Sequence, residues 1–147
     1  DLLNEEYGKL TGRLYPAVEY CGPAAAKTIF VTAGGMAQTI NSFIASPERN
    51  EALVRIKQFR PFPVEEVRRI FRQPHVERMI VVDRNASMGV GGIFAQEIRA
   101  ALYGTAYAPE MVELNLSGGL DLTPDILEKA LHAAENGEKM IWAVNLR

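Results

Sequence analysis

Residues 79–103 read Met-Ile-Val-Val-Asp-Arg-Asn-Ala-Ser-Met-Gly-Val-Gly-Gly-Ile-Phe-Ala-Gln-Glu-Ile-Arg-Ala-Ala-Leu-Tyr. Met79 to Val82 form an unbroken apolar run, the pattern of a strand buried on both faces. The polar turn Asp83-Arg84-Asn85 follows, and then Gly89, Gly91 and Gly92. Phe94, Ile98 and Leu102 recur every four residues, which lays one apolar stripe along a helix. Strand, glycine-rich turn and helix in this order predict a sheet with crossover helices. In such sheets ligands and partners sit at the carboxyl ends of the strands.

The same grammar repeats on either side. Thr28 to Ala33 reads as the first strand, turned by Gly34-Gly35. Met36, Ile40, Phe43 and Ile44 mark the buried face of a helix that Ser46-Pro47 closes. Ala52 to Phe59 is a second strand, with Arg55 and Lys57 alternating against Val54 and Ile56, so one face is partly wet. Arg60-Pro61-Phe62-Pro63 is a stiff turn, and Pro63 suits the first helical position, with Glu65 and Glu66 where the helix dipole favours acids. Val112, Leu114 and Leu116 alternate with Glu113 and Asn115 in a fourth strand, turned by Ser117-Gly118-Gly119. Thr123-Pro124-Asp125 caps a last helix that Asn136-Gly137 stops, and Met140 to Val144 is a short final strand.

The expected fold is therefore α/β: an open, mostly parallel, doubly wound sheet of about five strands with helices on both faces. Residues 27–147 form this domain. Residues 1–26 are a connector, with a helix end over Leu2 to Leu10 and no period between Gly12 and Pro23. Tyr15 and Tyr20 in that connector are expected to stick to a surface. The first residue is Asp1 rather than Met, which suggests a piece of something longer.

Composition narrows the function. The chain has 147 residues, one ordinary domain, and a net charge of −2 without a basic stripe, which argues against nucleic acid as a main partner. No apolar run reaches the roughly 20 residues of a membrane span, and the acidic start is not a signal peptide. A single cysteine, Cys21, excludes an internal disulfide and any all-cysteine metal site, and fits a reducing cytoplasm.

No complete catalytic set emerges. Gly89-Val90-Gly91-Gly92 at a helix start offers N–H groups to an anion, yet Phe94 stands where the dinucleotide fingerprint requires a small residue. Close packing of helix on strand is the preferred explanation of the glycines. Arg60, Arg84 and Asn85 follow strands at their carboxyl ends. Arg84 suits a bidentate clamp on carboxylate or phosphate, a structural ion pair with Asp83 or Asp121, or an interface. His75 and His132 lack a ligand at metal-binding spacing and read as surface residues. Glu97 reads as a paired or solvated helix residue, and no serine lies in a G-x-S-x-G elbow. The candidates for ligand or interface are Arg60, Arg84, Asn85, Gly89 and Gly118. No residue is assigned a catalytic or metal-binding role.

A series of short motifs carries a resemblance. Thr11-Gly12-Arg13-Leu14-Tyr15, Glu19-Tyr20-Cys21-Gly22, Gly34-Gly35, Arg60-Pro61-Phe62-Pro63, Val82-Asp83-Arg84-Asn85 and Ser117-Gly118-Gly119-Leu120-Asp121-Leu122-Thr123 stand in order. Together they resemble the second domain of the alpha part of pyruvate:ferredoxin and other 2-oxoacid:ferredoxin oxidoreductases, a relative of the transketolase C-terminal domain. The turn Gly-Val-Gly-Gly-Ile-Phe-Ala-Gln-Glu-Ile is also similar to a helix start in beta subunits of 2-oxoacid dehydrogenases. The resemblance implies a complex that oxidatively decarboxylates a 2-oxoacid with thiamine diphosphate, Mg²⁺, 4Fe–4S clusters and coenzyme A, passing electrons to ferredoxin. It implies partners among the other subunits or domains. The Gly-Asp-Gly thiamine motif is absent from this chain, so the implied role here is accessory, with no cofactor of its own. Two alternatives stay open: a C-terminal domain of another thiamine enzyme, and a free-standing small-ligand module using the loops at Gly34, Arg84 and Gly118.

Overall fold

A computed structural model describes residues 2–87 and 89–146; Asp1, Met88 and Arg147 lie outside the described residues. Helix α1 (Leu2–Thr11) is followed by strands β1 (Val18–Cys21) and β2 (Thr28–Ala33), helix α2 (Met36–Ile44), strand β3 (Ala52–Ile56) and helix α3 (Val64–Phe71). Then come β4 (Arg78–Asp83), a small pair β5 (Ala86–Ser87) and β6 (Gly91–Gly92), α4 (Ile93–Leu102), β7 (Glu110–Asn115), α5 (Pro124–Glu135) and β8 (Met140–Trp142).

The main sheet has six strands in the order β1-β3-β2-β4-β7-β8, all parallel except the β1–β3 pair. From β2 the chain moves to one side for β3 and then crosses to the other for β4. The switch point of the sheet therefore lies between β2 and β4. Two apolar clusters sandwich the sheet. Phe30, Leu53, Ile80, Leu114 and Ile141 pack under α2 and α5, while Val31, Val54, Met79 and Val81 pack under α3 and α4. Helices on both faces explain why the central strands read as near-continuous apolar runs.

Several details differ from the sequence reading. The sheet has six strands rather than about five, because the aperiodic stretch 12–23 supplies the edge strand β1, antiparallel to β3 through Val18↔Ile56 and Cys21↔Leu53. A four-residue strand flanked by Pro16 and Pro23 is too short to show a period; pairing with β3 creates it. Strand β3 ends at Ile56 rather than Phe59, since the Lys57 and Gln58 N–H groups both turn to the Ala17 carbonyl. The final strand stops at Trp142 and passes into a 3-10 turn, Ala143–Leu146.

Caps follow their chemistry. Thr123 accepts the Ile126 N–H through its hydroxyl at 3.3 Å, with Pro124 in the first turn of α5. Pro63 caps α3 from just outside it, one position earlier than expected. No helix of the described residues is long and apolar enough to cross a membrane.

Candidate functional site

The carboxyl ends of β2, β4 and β7 open into a cleft of about 530 Å³ at the switch point. Ala33, Gly35, Met36 and Thr39 line one wall, Arg84 a second, and Asp121 and Leu122 a third. Each wall belongs to a strand-to-helix connection, so the sheet topology alone brings these loops together. Helix α2 opens into this cleft with no side-chain cap on its first N–H groups. Arg84 is exposed, and among the described residues no carboxylate lies within ion-pairing distance of it, neither Asp83 nor Asp121.

The other candidates scatter. Asn85 is exposed beside Arg84, and its N–H is tied to Asp83 Oδ1 at 2.7 Å. Gly89 stands at the tip of the β5–β6 hairpin with positive φ and open space around it. Gly118, in the loop after β7, also borders open space. Arg60 lies outside the cleft: it pairs with Glu97 at 2.7 Å and stacks 4.0 Å above the Phe59 ring. His75 and His132 are exposed, and His132 sits near Glu128 and Glu135 on α5.

Beneath the hairpin lies a polar cluster that the sequence reading passed over. Asp83, Glu113 and Asn115 are all at most 2% exposed. Asp83 accepts the Asn85 and Phe94 N–H groups, Glu113 accepts the Gly92 N–H at 2.8 Å, and Arg99 pairs with Glu113. A side chain at Gly91 would run into the Glu113 carboxylate, and one at Gly92 would crowd Asp83 and Asn115 at 3.1–3.2 Å. The helix does not begin on the glycines, as expected, but at Ile93; the glycines form the returning strand of a hairpin seated on buried acids. Both Asn115 side-chain atoms are buried without a partner. The signal was present: β7 alternates polar and apolar residues, yet a central strand covered on both faces must bury its polar set.

The donor inventory bears on cofactors. Cys21 is half-buried against the core, and among the described residues no group of three or more His, Cys, Asp or Glu is placed to hold a metal ion. Cluster ligation calls for several thiolates, so iron–sulfur groups do not fit this chain.

Comparison with known proteins decides the family. The family profile described as "Pyruvate:ferredoxin oxidoreductase core domain II" matches residues 26–127. The chain belongs to this core domain II family. Pyruvate synthase subunit PorA of Pyrococcus furiosus is 33% identical over 139 residues, covering 91% of this chain and 34% of that protein. PorA of Methanothermobacter thermautotrophicus is 30% identical over 145 residues, covering 97% of this chain and 37% of its own length. Ketoisovalerate oxidoreductase subunit VorA of Pyrococcus horikoshii is 31% identical over 126 residues, covering 82% and 32%. This core domain II chain thus spans about a third of the length of the curated relatives it matches. The parallel sheet covered on both faces agrees with the α/β architecture expected from the resemblance.

Proposed function

We propose that this core domain II chain is an accessory, assembly-forming part of a 2-oxoacid:ferredoxin oxidoreductase. The complex oxidatively decarboxylates a 2-oxoacid and hands the electrons to ferredoxin in the cytoplasm. The match of the family profile over residues 26–127 carries this reading. The substrate class follows from relatives named for pyruvate synthase and ketoisovalerate oxidoreductase.

On this reading thiamine diphosphate, Mg²⁺, 4Fe–4S clusters and coenzyme A belong to other parts of that complex; a single cysteine supports this for the clusters, and among the described residues no group of three or more His, Cys, Asp or Glu is placed to hold a metal ion. Its own contribution is shape. Residues 27–147 are the domain proper, and residues 1–26 lead into it while lending it β1. The loops carrying Arg84, Asn85, Gly89 and Gly118 form the rim at the carboxyl end of the sheet. They face the neighbouring parts of the enzyme, with Arg84 free to meet a partner carboxylate. An enzyme of the 2-oxoacid dehydrogenase type is the rival, and its partners would carry lipoyl domains instead of cysteine-rich segments.

Capture of the tagged chain from cells of its own source, read by mass spectrometry, tests the proposal. Companions carrying a Gly-Asp-Gly thiamine motif and cysteine-rich cluster segments are expected. Recovery of a stable complex lacking both would overturn it.

A further inference from the structure

Asn115 is fully buried, and neither its Oδ1 nor its Nδ2 has a hydrogen-bond partner among the described residues. Buried polar groups are nearly always paired, because withdrawing an amide from water without a substitute is expensive. The neighbouring side chains do not supply one. Strands β4 and β7 set Asp83 directly opposite Asn115, and Glu113 lies on the same face two residues earlier. Asp83 Oδ2 and Asn115 Oδ1 aim into one space beneath the Gly91-Gly92 strand: each lies 3.1–3.2 Å from the point where a side chain on Gly92 would begin. Both are acceptors, so neither can serve the other.

The charges around this space are answered by the protein itself. The Asn85 and Phe94 N–H groups donate to Asp83, the Gly92 N–H donates to Glu113, and Arg99 pairs with Glu113. The amino end of α4 adds its dipole beside Asp83. On the far side, β8 places uncharged Met140 and Trp142 opposite Glu113 and Asn115. Glu97 of α4 is engaged with Arg60, and Arg84 is exposed on the cleft wall. An added cation would meet Arg99 and the positive end of α4, and an anion would meet two carboxylates. An apolar molecule would leave the amide as it is. The occupant that fits is neutral, small and able both to donate and to accept.

We propose that Asp83 and Asn115 hold an ordered internal water, which donates one hydrogen to Asp83 Oδ2 and the other to Asn115 Oδ1. Asn115 Nδ2 donates to water of the same site. A carboxylate offers about four lone-pair directions and backbone N–H groups use only part of them at Asp83, so the acceptor capacity is there. Internal waters of this kind make roughly two to four bonds to buried polar groups and are part of the fold. This water joins the carboxyl ends of β4 and β7 under the Gly91-Gly92 strand, a link that no direct bond from the Asn115 side chain makes. The site stands on the buried cluster alone and does not depend on the assembly reading.

A crystal structure of the chain grown in a potassium salt, and repeated with rubidium in its place, tests the proposal. The expected result is a solvent peak about 2.5–3.0 Å from both Asp83 Oδ2 and Asn115 Oδ1, with no anomalous signal from rubidium. Asn115→Leu should lose that peak while the Gly92 N–H still reaches Glu113. In solution, the Asn115 side-chain NH₂ of the wild type should show a nuclear Overhauser contact with long-lived bound water, a readout that does not depend on the variant folding. Absence of solvent density between the two residues overturns the water site. So does a rubidium peak there, which would make the occupant a cation. An amide turned so that Nδ2 bonds Asp83 directly overturns it as well. None of these outcomes touches the assembly reading.

Discussion

The Gly92 N–H donates to Glu113 Oε2 at 2.8 Å, on the buried side of the hairpin that follows Arg84 and Asn85. That bond joins β7 to the turn before α4, and together with the Asp83 bonds to the Asn85 and Phe94 N–H groups it seats this turn on two buried carboxylates. Replacing Glu113 by Ala removes the acceptor, leaves the Gly92 N–H buried without a partner and opens a void. We expect Glu113→Ala to cost about 2–4 kcal/mol, and Glu113→Gln, which keeps an acceptor, roughly half as much. Urea unfolding of both variants checks the ranking; equal costs would show that charge rather than the acceptor matters.

Gly92 and Gly35 make a second, opposed pair. Gly92 faces Asp83 and Asn115 at 3.1–3.2 Å, whereas Gly35 has an ordinary helical backbone and nothing within 4 Å. Gly92→Ala should destabilise by about 1–3 kcal/mol because buried Asp83 and Asn115 must give way. Gly35→Ala should be neutral or stabilise by about 0.5 kcal/mol through the unfolded chain. Thermal melts of the two alanine variants decide it.

The Thr123 hydroxyl closes the first turn of α5, the helix that covers Leu116, Leu120 and Leu122. Thr123→Ala should cost about 1 kcal/mol and Thr123→Ser much less. Loss of helical signal at a lower temperature in the alanine variant alone is the expected observation.

Lys27 and Glu77 form an exposed pair at 2.8 Å at the amino end of the sheet. Their side-chain hydrogen bond, reinforced by charge attraction, raises the Lys27 pKa and lowers that of Glu77. The Glu77 contribution is present above the unfolded carboxylate range and is lost as pH falls through the lowered folded-state value. The Lys27 contribution is present below the unfolded lysine range and is lost as pH rises through the raised one. The melting-temperature difference between wild type and Glu77→Gln should therefore be small and flat around neutrality, vanish at both extremes and shrink with salt.

Arg84 is exposed on the cleft wall, so Arg84→Ala should shift stability by no more than about 0.5 kcal/mol. If the rim meets a partner carboxylate, the same substitution should still weaken companion recovery. A variant that loses stability but not recovery would make Arg84 a structural residue instead.

Periodicity and turn chemistry were enough for the architecture: the apolar run at Met79–Val82, the stripe at Phe94, Ile98 and Leu102, and the Thr123-Pro124-Asp125 cap all carry local signals. The motif series likewise pointed to the family that the profile match supports. Arg84 was legible as a group at a strand's carboxyl end because strand order hardly affects which end a loop leaves. What pairs with what was not legible. Strand β1 exists only because β3 offers it an edge, and Arg60 meets Glu97 across 37 residues of chain. Glu113 and Asn115 alternate with apolar residues in one dimension and become a buried polar floor once the Gly91-Gly92 strand closes over β7. Burial is a property of what covers a residue, and covering is non-local.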